Sequence, residues 1–144
     1  MTDPAPRRVV LDPNVLVSAA ISPGRTTARI LDLIDSGLLV PIVSPALIAE
    51  LSGVLARPRF RRYLDLNAVS AFTDELERLG EWHRDVADPP RLSSDPDDDY
   101  LLALAAEAEA DALVSGDPDL SALTVEGTRI LTPRALLDLT DSDA

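Results

Sequence analysis

The chain of 144 residues contains no cysteine and no lysine, a single histidine (His83), and only five aromatic residues of the Phe, Trp and Tyr types. The absence of cysteine excludes a disulfide framework and a thiolate metal site. Without lysine there can be no Schiff-base chemistry and no phosphate-binding P-loop of the usual kind. One histidine cannot build a multi-histidine zinc motif. No apolar run approaches the roughly 18 to 20 residues that span a bilayer. The leading MTDPAPRR has no apolar h-region, so no signal peptide is expected. These absences point to a cytoplasmic protein with no membrane partner.

What is present is acid. Twenty-five Asp and Glu face 13 cations, all arginine, for a net charge of −12. That balance argues against simple charge-driven attraction to nucleic acid. Apolar residues make up 46%, enough for one buried core, and one domain over 1–144 is expected, with its core at about 8–135 and short flexible termini.

Hydrophobic patterning predicts alternating strands and helices. Residues 8–12 (RVVLD) form a β-branched run ending in an acid and a proline, which predicts a buried strand. A helix is expected over 26–36, stopped by Gly37. A strand follows over 38–43, where Pro41 suits an edge or a strand start. Ser44 and Pro45 open a helix to about Ala56, and a short helix is expected near 58–64. Asn67 would cap a helix to about Leu79, followed by a weak strand at 82–86 and a loop over 88–97. A helix over 98–110, a strand at 112–115, a turn at 116–119, a strand at 128–131 and a helix at 133–139 complete the pattern. The acidic end, with Asp138, Asp141 and Asp143, is expected to fray. Such alternation implies an α/β fold, a central mainly parallel sheet of 4–5 strands flanked by helices.

In such sheets, sites form outside the carboxyl ends of the strands. Asp12 ends the first predicted strand, and Asp117 follows the strand at 112–115. Glu50 lies among Leu47, Ile48, Leu51 and Val54 on a predicted helix, where an unpaired acid is disfavoured. Asp97, Asp98 and Asp99 stand where a loop enters a helix. Capping and the helix dipole explain one acid there, and an Asx turn would explain Asp12. Four separated acidic positions converging on one sheet edge fit better as a site for Mg²⁺ or Mn²⁺, which take oxygen ligands.

The segments VVLDPNVLVSA (9–19), SPALIAEL (44–51), DPDDDYLLALA (95–105) and ALVSGDPDL (112–120) together resemble the PIN domain, most closely its branch of toxin components of toxin–antitoxin pairs. The resemblance runs in order from 8 to about 135 and implies an α/β/α sandwich and an endoribonuclease using one or two Mg²⁺ or Mn²⁺ ions. It places the acids at Asp12, Glu50, Asp117 and one of Asp98 or Asp99, with Asp98 preferred. Asp12, Asp98 and Asp117 would hold metal. Glu50 would hold it through water or accept a proton. Asn14 and Ser115 match positions that assist the metal shell, and Asp119 a more peripheral acidic one. Pro13 departs from the small residue usual in the family, which stiffens the turn. The resemblance further implies an RNA substrate, a cognate antitoxin protein and a homodimer.

The basic counterpart is LARPRFRRYL (55–64), with Arg57, Arg59, Arg61 and Arg62 interleaved with Phe60 and Tyr63. Either these arginines contact RNA, or the segment is a solvated helix with its aromatics packed inward. His83, away from the acidic motifs, reads as an ordinary packed residue. A haloacid-dehalogenase-type phosphatase would need an acid where Asn14 stands and a lysine that the chain lacks. A catalytically weak PIN-like module acting through protein contacts is the other alternative. Residues 85–99 hold six acids against Arg91, so RNA binding at such a site would require metal.

Overall fold

The structure, a computed structural model, describes residues 5–21 and 24–142. Five strands form one sheet in the order β3-β2-β1-β4-β5: β1 (Arg8–Leu11), β2 (Val40–Val43), β3 (Glu81–Trp82), β4 (Ala112–Val114) and β5 (Ile130–Leu131). Every neighbouring pair is parallel. The helices are α1 (Pro13–Ile21), α2 (Arg25–Asp35), α3 (Pro45–Leu55), α4 (Leu66–Leu79), α5 (Pro96–Glu107), α6 (Pro118–Ser121) and α7 (Pro133–Ser142), with a 3₁₀ turn at Pro58–Phe60. Among the described residues no helix is long and apolar enough to cross a membrane.

Helices cover the sheet: α5 packs on β1 and β4, α4 on β2, and α7 on β5, while α1 packs on α2 and α3. The central strands are therefore buried on both faces, which is why they read as continuous apolar runs rather than as alternating ones. Val9, Val10, Leu113 and Val114 are fully buried. From β1 the chain steps outward through β2 to β3, then returns to β4 on the other side of β1. The carboxyl ends of β1 and β4 are thus the topological switch point, where an open α/β sheet leaves a crevice.

Several expectations are corrected. The predicted sequence pattern offered no helix after the first strand, yet α1 occupies Pro13–Ile21. PNVLVSAAI is apolar almost all round, so it shows no helical stripe. The expected turn at 116–119 opens the short helix α6, with Asp117 as its cap. Asp65, not Asn67, caps α4: its Oδ1 accepts from the Ala68 N–H at 2.8 Å. Helix α5 begins at Pro96, earlier than expected, because Asp95 caps it and proline suits its first position. The strand expected at 82–86 is reduced to Glu81–Trp82 on the sheet edge.

Of the two places expected for Pro41, an edge or a strand start, the structure shows the second: it is the second residue of β2, an inner strand. It pairs with Val9 of β1, and β3 joins only from Ile42 onward, so its missing N–H leaves no ladder gap on that side. Asp138 and Asp141 lie in a helix rather than in an irregular tail. Both belong to α7, where they face Arg134 and Arg29 at 3.4 Å; Asp143 lies outside the described residues. Leu136 and Leu137 of α7 are buried.

Candidate active site

At the end of β1 the chain turns at once into α1, and Asp12 makes that turn. Its carbonyl accepts from the Val15 N–H at 2.9 Å, and its Oδ1 accepts from the Asn14 N–H at 2.9 Å. Asp12 is therefore the cap of α1, and Pro13 takes the first helical position, where proline costs nothing. Asp12 is only 5% exposed. Its Oδ2 is held by the buried Ser115, whose Oγ donates at 2.7 Å. Ser115 Oγ also accepts from the Asp117 N–H at 3.1 Å, linking the ends of β1 and β4 through one hydroxyl.

Asp117 caps α6 in turn, its Oδ1 accepting from the Asp119 N–H at 2.9 Å. Asp12, Asn14, Glu50, Asp98 and Asp117 line one cleft of about 310 Å³, together with Asp95 and Asp97. A second hollow begins at the same Asn14 and Asp117 and continues past Ser18 and Thr27 toward Pro133. The acids thus lie where two concavities meet.

The cleft strains its own charges. The Asp98 carboxyl is pushed up to about 6 by desolvation and by Asp95, Asp117, Asp12 and Asp97. Burial raises Glu50 as well, with further push from Asp97, Asp12 and Asp98, against the opposing pull of a hydrogen bond from Tyr100. That bond runs from the Tyr100 hydroxyl to Glu50 Oε2 at 3.3 Å. Burial beside Glu50 holds the Tyr100 hydroxyl far above its usual range, so it remains a donor. Tyr100 passes in the sequence as part of an apolar helix face. Only its position two residues after Asp98 hints at a role.

Asp99 does not join this group. It is buried with its back to the cleft, and its Oδ1 accepts from the Leu92 N–H (2.9 Å), the Ser93 N–H (2.8 Å) and the Ser93 hydroxyl (2.9 Å). Burial alone would raise its carboxyl, but these bonds outweigh it and hold it below the ordinary range. Asp99 staples the 88–95 loop onto α5. Asp119 is exposed and does not line the cleft.

The arginine run divides. Arg57, Arg59 and Phe60 line the same cleft as the acids. Arg61 donates to the Ala56 carbonyl at 2.6 Å, and Arg62 lies over the Tyr63 ring and donates to its hydroxyl at 2.7 Å. Tyr63 is exposed rather than packed inward. His83 sits past β3, its N–H bonded to the Val43 carbonyl and its ring bonded to the Arg84 carbonyl, away from the acids.

In kind and charge the lining suits a hard divalent cation: its carboxylates offer oxygen, and its acids outnumber Arg57 and Arg59. Among the described residues, no three Asp, Glu or His side chains are gathered closely enough to hold a metal ion as they stand. The carboxylates of Asp12 and Asp117 are instead partly engaged by their own helix caps.

A parallel sheet of this order, with acids at its switch point, defines the class of α/β proteins whose chemistry lies outside the strand ends. The chain belongs to the PIN domain family, which it matches over residues 8–119. PIN domains are generally nucleases and typically use divalent metals. An uncharacterized protein of Methanocaldococcus jannaschii, MJ1680, is 30% identical over 127 residues, covering 83% of this chain and 76% of that protein. The crystal structure of PAE2754 from Pyrobaculum aerophilum shares the fold with a TM-score of 0.59 at 20% identity, over 95% of this chain and 91% of that one.

Proposed function

We propose that the protein is a divalent-metal-dependent endoribonuclease that hydrolyses phosphodiester bonds of unpaired RNA. The carrying observation is that Asp12, Glu50, Asp98 and Asp117, from four separate segments, line one cleft that Arg57 and Arg59 also line. Asp12, Asp98 and Asp117 are assigned to hold one or two Mg²⁺ or Mn²⁺ ions, and Asn14 supports them from the cleft wall. Such an ion, when bound, lowers the pKa of a coordinated water and offsets charge on the phosphate. Ser115 orients two ligands at once, through Asp12 Oδ2 and the Asp117 N–H. Glu50, raised by burial and steered by Tyr100, is suited to accept the proton of the attacking water. Arg57 pairs with a phosphate flanking the scissile one.

Cleavage of an unstructured RNA should require Mg²⁺ or Mn²⁺ and stop in EDTA. Asp12→Asn and Asp117→Asn should each lower the rate by at least roughly 100-fold. Near-wild-type cleavage by either variant overturns the assignment. The motif resemblance supports a finer reading: the toxin of a toxin–antitoxin pair, a cytoplasmic homodimer neutralised by a small antitoxin. Expression alone should then arrest growth and co-expression of the partner restore it, and sedimentation should give twice the chain mass.

A further inference from the structure

We propose that Phe60, with Arg59 stacked on it, forms a nucleobase subsite that takes an unpaired base next to the scissile phosphate. The inference rests on the nuclease reading above and adds to it how the strand is gripped. Phe60 is one of two phenylalanines in the chain, and it does not pack against the buried core as Phe72 does. It lines the acidic cleft instead. The 3₁₀ turn presents it rigidly: its N–H bonds to the Arg57 carbonyl at 3.0 Å, and its carbonyl accepts from Tyr63 (2.9 Å) and Leu64 (3.0 Å).

The Arg59 guanidinium lies 4.6 Å from the Phe60 ring centroid. Such a pair offers a ring and a planar cation, the two surfaces on which unpaired bases stack. Glu50 and Val54 line the cleft from α3, and Arg57 follows just past that helix at the start of the 3₁₀ turn, so one stretch of chain runs from the acid site to Phe60. The helix from Glu50 to Leu55 rises on the order of 8 Å before the turn that carries Phe60, a reach suited to a base neighbouring the phosphate held at the acids. Arg61 and Arg62, turned to local partners, take no part.

The test uses short unpaired RNAs carrying one abasic position moved stepwise along the strand, and a parallel set with 2-aminopurine at each position. In the wild type, one abasic position beside the cleavage point should raise KM roughly 10-fold with kcat kept, the loss of a single stack. Phe60→Ala should raise KM on intact RNA to a similar extent and be insensitive to that abasic position, and Phe60→Trp should restore both. Stopped-flow mixing, read before turnover, should quench 2-aminopurine there in the wild type and Phe60→Trp, but not in Phe60→Ala. A wild type with neither a sensitive position nor quenching overturns the subsite. So does a fall of kcat and melting temperature in both Phe60 variants with KM unmoved, the mark of packing. Quenching by the same sequence as DNA but not as RNA overturns RNA as the source of the base. If the wild type quenches 2-aminopurine but cuts nothing with Mg²⁺ or Mn²⁺, the subsite stands and the nuclease reading fails.

Discussion

Asp98 and Asp99 are neighbours of identical chemistry with opposite fates. Asp98 is crowded by acids in the cleft, and Asp99 is bonded into the fold. Their pH signs differ accordingly. Asp98 titrates near 6 in the folded protein against 3.8 in an unfolded chain, so the folded state binds its proton more tightly. Its ionisation costs nothing below the unfolded value and its full penalty above the folded one. After screening by solvent, that penalty is roughly 1–2 kcal/mol. Asp98→Asn should therefore gain that stability in metal-free urea melts at pH 7.5 and gain almost nothing at pH 4. A loss at pH 7.5 would refute the crowding. Asp99 has a lowered carboxyl, so its contribution is present above the ordinary value and lost as pH falls through the depressed one. Asp99→Ala strands two backbone N–H groups and should cost about 3 kcal/mol at pH 7.5, measured in the same melts.

Among elements, the tightest junction is where α4 hands over to β3 beside β2. Gly80 ends α4, and a Cβ there would come within 2.6 Å of both the Leu76 and the Pro41 carbonyl oxygens. Both are backbone atoms, one in the helix and one in a strand, so neither can swing aside. Gly80→Ala should destabilise by about 1–3 kcal/mol, a fall in melting temperature of roughly 2–4 °C per kcal/mol. Cleavage per folded molecule should stay unchanged, because the junction lies away from the cleft. The Pro41 carbonyl's closeness to Gly80 also explains how a proline is tolerated inside the sheet: its strand is braced there by a helix end, and β3 pairs only beyond it.

The whole molecule carries −12, and much of the local repulsion gathers at the switch point. Screening should relieve it. Raising NaCl from low to about 0.5 M should raise the metal-free melting temperature. Millimolar Mg²⁺ should raise it further at matched ionic strength, by binding to the folded state alone. Equal effects of Mg²⁺ and matched NaCl would argue against a specific cation site. The two hollows share Asn14 and Asp117, so concave surface continues past the acids on more than one side.

Much of this was written locally. Apolar runs ending in Asp12 and just before Asp117 marked the central strands and their carboxyl ends, because burial on both faces demands continuous apolar residues. Glu50 betrayed itself as an acid beside an apolar stripe. Other features depended on where each helix starts and what packs behind it. One residue along a helix turns the side chain by about 100°, so an error of two residues in the start of α5 decides which of Asp98 and Asp99 faces the cleft. That start was set by the Asp95 cap, the bonds from Leu92 and Ser93, and the packing of α5 on β1 and β4. The same dependence hid Tyr100 and divided the arginines. Residue type told what chemistry was available, and helix phase under tertiary packing chose which side chains could meet.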